Sequence, residues 1–335
     1  MTNEKARALY QQLTPEQKHF VDNKTINTTL SVKHWISFLS RTSAYDRLRD
    51  NRATILAGWI SVIIFFSLIL VIIAFNRSYW HYIVPVIFVL AIILYVLVRQ
   101  RIALGKRNMS NYLRNFFMPI LEVLREKAGD DAKMIAALDF RDPLKALPFE
   151  EVKEPGLNRK IKLYTPKIIA AGVPLKDQSY LELAVVDEIR KMTIQRGGKT
   201  KYKTKVTHRL FIRLAVNKSV YQRNEVTVPD YVEVEEQPNQ FVYKLKHKEK
   251  ESGLGILEPK SMIGQMAVLY GLFSVIPGVA LPSMVGGVVN QPNALQDMFW
   301  NDQIFSNYDR DGFSRSRMFR NDRSSRDQDA NTFDS

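Results

Sequence analysis

Residues 53–102 read ATILAGWISVIIFFSLILVIIAFNRSYWHYIVPVIFVLAIILYVLVRQRI, and between Arg52 and Arg99 the only formally charged side chain is Arg77. Crossing a hydrocarbon core of about 30 Å takes about 20 apolar residues of helix. Ala53 to Phe75 supplies 23 without a charge, a proline or an asparagine. Tyr82 to Val98 is shorter, but Ser78 to His81 extends it through an interface where Tyr79, Trp80 and Tyr82 form an aromatic belt. Only Asn76 to His81 separates the two runs, which predicts a transmembrane helical hairpin with spans at 53–75 and 78–98. Two buried helices of a soluble protein are the competing reading, and few soluble folds hide two such runs side by side.

Basic residues fence this hairpin. Lys33, Arg41, Arg47, Arg49 and Arg52 precede it, Arg99, Arg101, Lys106, Arg107 and Arg114 follow it, and the loop holds Arg77 alone. Lys and Arg beside a span are retained in the cytoplasm, so both flanks are expected on the inner face of a cell membrane and the loop outside. The first 50 residues are polar and the apolar run exceeds an h-region, so no cleaved leader is expected. The absence of cysteine excludes disulfides, thiolate metal sites and cysteine nucleophiles. A net charge of +14 and a pI near 9.7 call for an anionic partner. Membrane lipids of the acidic inner leaflet are the partner expected, and nucleic acid is the less favoured alternative.

The amino-terminal residues 1–52 read as cytosolic helices. Thr14-Pro15-Glu16-Gln17 has the capping-box pattern, with Pro at the first helical position. Val32, Trp35, Ile36, Phe38 and Leu39 among Lys33, His34 and Arg41 suit a helix lying in the headgroups or, alternatively, one packed on the cytosolic domain. Past the second span, residues 99–141 read as a helical stalk continuing it. Its apolar face comprises Tyr112, Leu113, Phe116, Phe117, Ile120, Leu121 and Leu124, Pro119 is a kink and Gly129 an end.

From residue 142 the pattern becomes β, and residues 142–260 are expected to form a basic cytosolic domain. Strands are predicted at Arg159 to Tyr164, Leu181 to Val186, Glu188 to Gln195, Lys201 to Val216, Tyr231 to Glu235 and Phe241 to Lys246, with a hairpin turn at Arg196-Gly197-Gly198-Lys199. In KYKTKVTHRLFIRLAV, Lys201, Lys203, Lys205, Arg209 and Arg213 alternate with Tyr202, Val206, Leu210, Ile212, Leu214 and Val216. The apolar set is expected inside. The basic set, with Arg99, Arg101, Lys106 and Arg107, forms the candidate contact for anionic lipid or a partner, the alternative being a solvated sheet face. The fold class expected is thus an α+β membrane protein: helical hairpin, helical stalk and a mainly antiparallel β-rich domain.

Residues 261–296 are uncharged but broken by glycine and proline, which leaves three readings open: a span, a lipid or oligomer contact, and a buried core segment. Residues 297–335 read as a largely disordered tail.

Motifs for chemistry are missing. Gly198-Lys199-Thr200 ends like a P-loop, but Thr193 stands where its first glycine is needed, and Glu258 spoils the dinucleotide pattern begun by Gly253 and Gly255. His19, His34, His81, His208 and His247 are scattered. Glu233, Glu235 and Glu236 read as a solvated edge, with a cation site as the alternative. Neither span contains an internal ionisable group of the kind a transport path requires. Asn76-Arg77-Ser78 is a formal glycosylation sequon too close to the bilayer to use. No cofactor, metal or catalytic residue is expected.

The segment YLELAVVDEIRKMTIQRGGKTKYKTKVTHRLFIRLAVNKSVYQRNEVTVPD resembles the core of the bacterial membrane-protein family known as domain of unknown function 3137. The matching features are a strand at Leu181 to Gln195, a basic stretch at Lys199 to Lys205, an aromatic strand at Phe211 to Lys218 and the close at Thr227 to Asp230. The resemblance covers about residues 50–231, leaves the carboxy-terminal third without a guide, and implies a bacterial inner-membrane setting with no catalytic residues. The function expected is a non-enzymatic, membrane-anchored scaffold or interaction protein. A structural subunit of an envelope secretion or transport assembly, with protein partners and homo-oligomer contacts, is the alternative, and an enzyme at the membrane surface comes third.

Overall fold

The computed structural model describes residues 2–76, 80–106, 109–154, 159–196, 198–252 and 255–279. The chain opens with helices α1 (Thr2–Gln12) and α2 (Pro15–Asn23). At the start of α2 the capping box forms as expected: the Thr14 hydroxyl accepts from the Gln17 N–H at 3.3 Å and the Gln17 side chain from the Thr14 N–H at 3.0 Å. Strand β1 (Thr25–Ser31) follows, where the sequence reading had placed only helix. Ile26 and Leu30, packed on the core, alternate with Thr25, Asn27 and Thr29, which is the composition of a half-solvated edge strand.

Helix α3 (Val32–Asn76) is one unbroken helix of 45 residues, about 68 Å long. Ser31 starts it by accepting the His34 N–H, while the N–H groups of Val32 and Lys33 bond to Ala132 and Asp130 carbonyls. Trp35 and Leu39 are fully buried, and the Trp35 indole N–H donates to the Met134 carbonyl at 3.0 Å. The first turns of α3 therefore pack into the core of the sheet domain.

Helix α4 (Trp80–Lys106) returns alongside α3. Both are long and apolar enough to cross a membrane. The expected stalk does not continue α4. The chain instead re-enters the domain through a π turn (Leu113–Phe117) joined to α5 (Met118–Ala128). Pro119, lacking an N–H, sits in the first turn of α5, directly after the π turn. The wider π turn brings Leu113, Phe116, Phe117, Ile120, Leu121 and Leu124 onto one fully buried face. The stripe is a packing face whose partners are α3 and the sheet.

Strands β2 (Lys133–Asp139), β3 (Glu150–Glu154), β4 (Arg159–Tyr164), β5 (Lys167–Pro174), β6 (Tyr180–Arg196), β7 (Lys199–Asn217), β8 (Tyr221–Arg223), β9 (Val232–Glu236) and β10 (Gln240–Ser252) lead to α6 (Pro259–Tyr270) and β11 (Phe273–Val275). Among the described residues nine strands form one antiparallel sheet, ordered β1-β2-β5-β6-β7-β10-β9, with β4 on β6 and β3 on β4; β8 and β11 form a separate pair. The two strands predicted at 181–186 and 188–195 are a single β6 that changes partner midway. Its first half pairs with β5 and its second with β4, and the Asp187 N–H bonds to the Pro166 carbonyl at the break.

The core lies between one sheet face and helices α2, α3, α5 and α6. The domain takes in α2, β1 and β2 ahead of residue 142, and residues 109–141 pack into it rather than standing apart as a stalk. Met262, Met266 and Leu269 of α6 are buried in this core, which decides residues 261–270 as a core segment. Residues 280–296 and the 297–335 tail lie outside the described residues.

Candidate functional site

The neck joining the apolar helices to the domain is built from charges that the sequence reading had counted only as a topology signal. Asp46, Arg49 and Asp50 fall on one face of α3 by helical spacing. The Arg49 guanidinium, buried, donates through Nη2 to the Leu104 and Ala103 carbonyls at 2.6 and 3.3 Å, and through Nη1 to the Tyr45 hydroxyl at 2.8 Å. It satisfies carbonyls in the last turn of α4, where a cation also meets the negative end of the helix dipole. Asp46 accepts the Met109 N–H at 2.9 Å. Arg114 reaches Asp46 at 3.4 Å, Asn111 at 2.5 Å, and Asp50 in a shorter contact. Burial pushes the Asp46 carboxyl from an ordinary 3.8 up to about 6, with Asp50 adding to it and the Met109 N–H, Arg114 and Arg49 pulling back.

Below the neck, the buried Tyr112 hydroxyl lies 2.9 Å from both Asp187 oxygens and 2.9 Å from His208 Nδ1, which is itself 2.8 Å from Asp187. Asp187 is the residue at which β6 changes partner. All three side chains are buried, so the cluster has the geometry of an internal clamp between the re-entry turn and the sheet.

The basic candidates separate into groups. Arg209 holds Glu188 through Nε at 2.9 Å and Nη2 at 2.5 Å, and Arg213 holds Glu182 at 2.9 Å. Burial raises the Glu182 carboxyl while Arg213 and Lys244 draw it down. These two arginines are partly buried and charge-paired within the sheet, so their charge is already partnered there. Lys201, Lys203 and Lys205 are exposed, as are Arg99 and Arg101 on α4. Arg107 lies outside the described residues, and of Lys106 the helical backbone alone is described. Tyr202, expected inside, is 70% exposed because the core-facing row of β7 ends at Val206 and the hairpin beyond has no layer packed on it. The Arg196–Lys199 turn forms as read, with Gly198 at φ 75°.

Glu235 and Glu236 pair with Lys244 and Lys218, which favours the solvated edge over a cation site. Among the described residues no group of three or more His, Asp or Glu is placed to hold a metal ion. A groove of about 660 Å³ lies between α3 and α5 beside the neck, lined in part by Ser40, Ser43, Arg47, Asn51 and Met118. No protein-family model, curated protein or solved structure matches this chain.

Proposed function

We propose that this chain is a non-enzymatic, two-pass membrane anchor and scaffold holding a basic α+β domain against the inner face of a cell membrane. The observation that carries this reading is continuity. One helix, α3, runs from Trp35 inside the domain core to Ile73 within a collar of exposed apolar side chains. Trp59, Phe65, Phe66, Ile72, Phe88 and Ile92 all stand exposed on α3 and α4. A soluble monomer leaves no such apolar area in water, and a bilayer removes it from water. Arg99 and Arg101 follow Val98 on α4, with Lys106 and Arg107 next in sequence, and at headgroup depth each basic residue contributes about 1 kcal/mol to an acidic surface. The bacterial inner-membrane setting, with both flanks cytoplasmic, is part of the proposal and rests on the charge fence and on the resemblance of residues 50–231.

The natural absence of cysteine makes the test direct. In intact cells a membrane-impermeant maleimide is expected to label Ser78→Cys, and to label Leu147→Cys only after permeabilisation. The opposite pattern, or recovery of the whole chain in a carbonate-washed soluble fraction, overturns the reading.

A further inference from the structure

We infer that the tip of the β6–β7 hairpin is a second membrane contact, docking on the acidic phospholipid headgroups of the leaflet from which α4 emerges. This rests on the two-pass reading and goes beyond it by naming the surface and the ligand. The direction of β6 comes from its contacts. At its start, the Lys176 N–H bonds to the Lys127 carbonyl and its ammonium to the Glu126 carbonyl, at the end of α5 remote from the apolar helices. Seven residues into the strand, Asp187 meets Tyr112, which follows closely on the end of α4. The strand therefore climbs from the far end of the domain toward the neck. It then continues for nine more residues, Glu188 to Arg196, about 30 Å of further reach on the bilayer side.

Over this extension the chemistry changes sign. Nearer the root, Arg209 and Arg213 have glutamate partners. From 190 to 205 the sequence holds seven Lys and Arg and no Asp or Glu. Lys199, Lys201, Lys203 and Lys205 are exposed, and β10 stops pairing with β7 at Lys205, leaving its own Glu249 and Glu251 opposite His208 and Val206 on the root side. Tyr202 adds an exposed ring with a polar tip, a side chain suited to the water–lipid boundary. A lysine-rich hairpin also serves to keep a sheet edge from aggregating, and in that role alone it would stay in solvent.

The two roles separate in full-length protein reconstituted in nanodiscs, using single cysteines carrying a fluorophore and lipids bearing a nitroxide. A probe at Thr200→Cys is expected to be quenched by headgroup nitroxide in discs of phosphatidylcholine with phosphatidylglycerol, and not in phosphatidylcholine alone. A probe at the exposed Gln222, on β8 at the far end of the domain, is expected to stay bright. At roughly fivefold per basic residue near an acidic leaflet, replacing Lys201, Lys203 and Lys205 by Gln lowers the docked-to-free ratio on the order of a hundredfold, so quenching at Thr200 is lost. Raising salt to half molar acts in the same direction. Quenching that is absent, or indifferent to phosphatidylglycerol and salt, overturns the proposal. A parallel probe at Val89→Cys with chain-buried nitroxide reports on the anchor itself: quenched there but not at Thr200, only the docking is wrong, and unquenched there, the two-pass reading and the docking fall together.

Discussion

Arg49 is the residue on which the neck closes, because one guanidinium satisfies two α4 carbonyls and a tyrosine hydroxyl while balancing the buried Asp46. Replacing it by Met leaves those acceptors and a carboxylate without it, and a loss of about 2–4 kcal/mol is expected in thermal or urea unfolding in detergent. Lys offers one point charge in place of a planar fork, so Arg49→Lys recovers only part of this. Asp46 gives the neck a pH dependence whose sign follows from its raised folded-state value. Between about 3.8 and about 6 the folded protein keeps a proton that the unfolded chain has released. The stability Asp46 lends is therefore full below that window and is withdrawn as pH rises through it. Compared with Asp46→Asn, wild type should lose up to about 3 kcal/mol between pH 4 and pH 6.5 and nothing further above it. A difference that is flat or of opposite slope refutes the assignment.

Among the elements, the end of α5 depends on backbone freedom at one position. Gly129 has φ 93° and ψ 166°, a region populated essentially by glycine alone. A Cβ there would also stand 3.2 Å from Lys176 Cε, which is flexible enough to move. The backbone term decides, and Gly129→Ala should cost about 1–3 kcal/mol in equilibrium unfolding. The β6 strand illustrates how local pattern misleads. A buried aspartate inside an apolar alternation reads as a strand break, yet Asp187 stays in register because Tyr112 and His208 hydrogen-bond it. Tyr112→Phe removes the hydroxyl that meets both Asp187 and His208 without creating a cavity, and a loss of about 1–2 kcal/mol in unfolding is expected.

For the whole molecule, the decisive feature is that one core recruits segments from before and after the two apolar runs. Trp35 and Leu39 come from before them, Leu113, Phe116 and Ile120 from after them, and the sheet from further on. A polypeptide of residues 142–260, which the sequence-based boundary would isolate, lacks that helical layer and should show no cooperative unfolding transition. A chain joining residues 2–52 to 109–279 through about ten Gly and Ser residues keeps the entire core. It should fold and stay soluble, because Asp46 and the Met109 N–H are already in contact and a short flexible linker spans the gap. Failure of the second polypeptide to fold, or cooperative unfolding of the first, would show that the helices and sheet are not one unit.

The sequence by itself determined whatever depends on neighbours along the chain. The length of the uncharged runs, the capping box at Thr14, the β6–β7 hairpin and its alternation are all local, and periodicity and composition report them directly. Tertiary structure alone decided which charges are committed and where the core begins. Arg209 and Glu188 are 21 residues apart, Asp46 and the Met109 N–H 63, and Trp35 and the Met134 carbonyl 99. Whether a basic side chain is paired or offered to a membrane turns on such distant partners, because the strength of an electrostatic contact is set by separation and burial in space rather than by spacing in sequence.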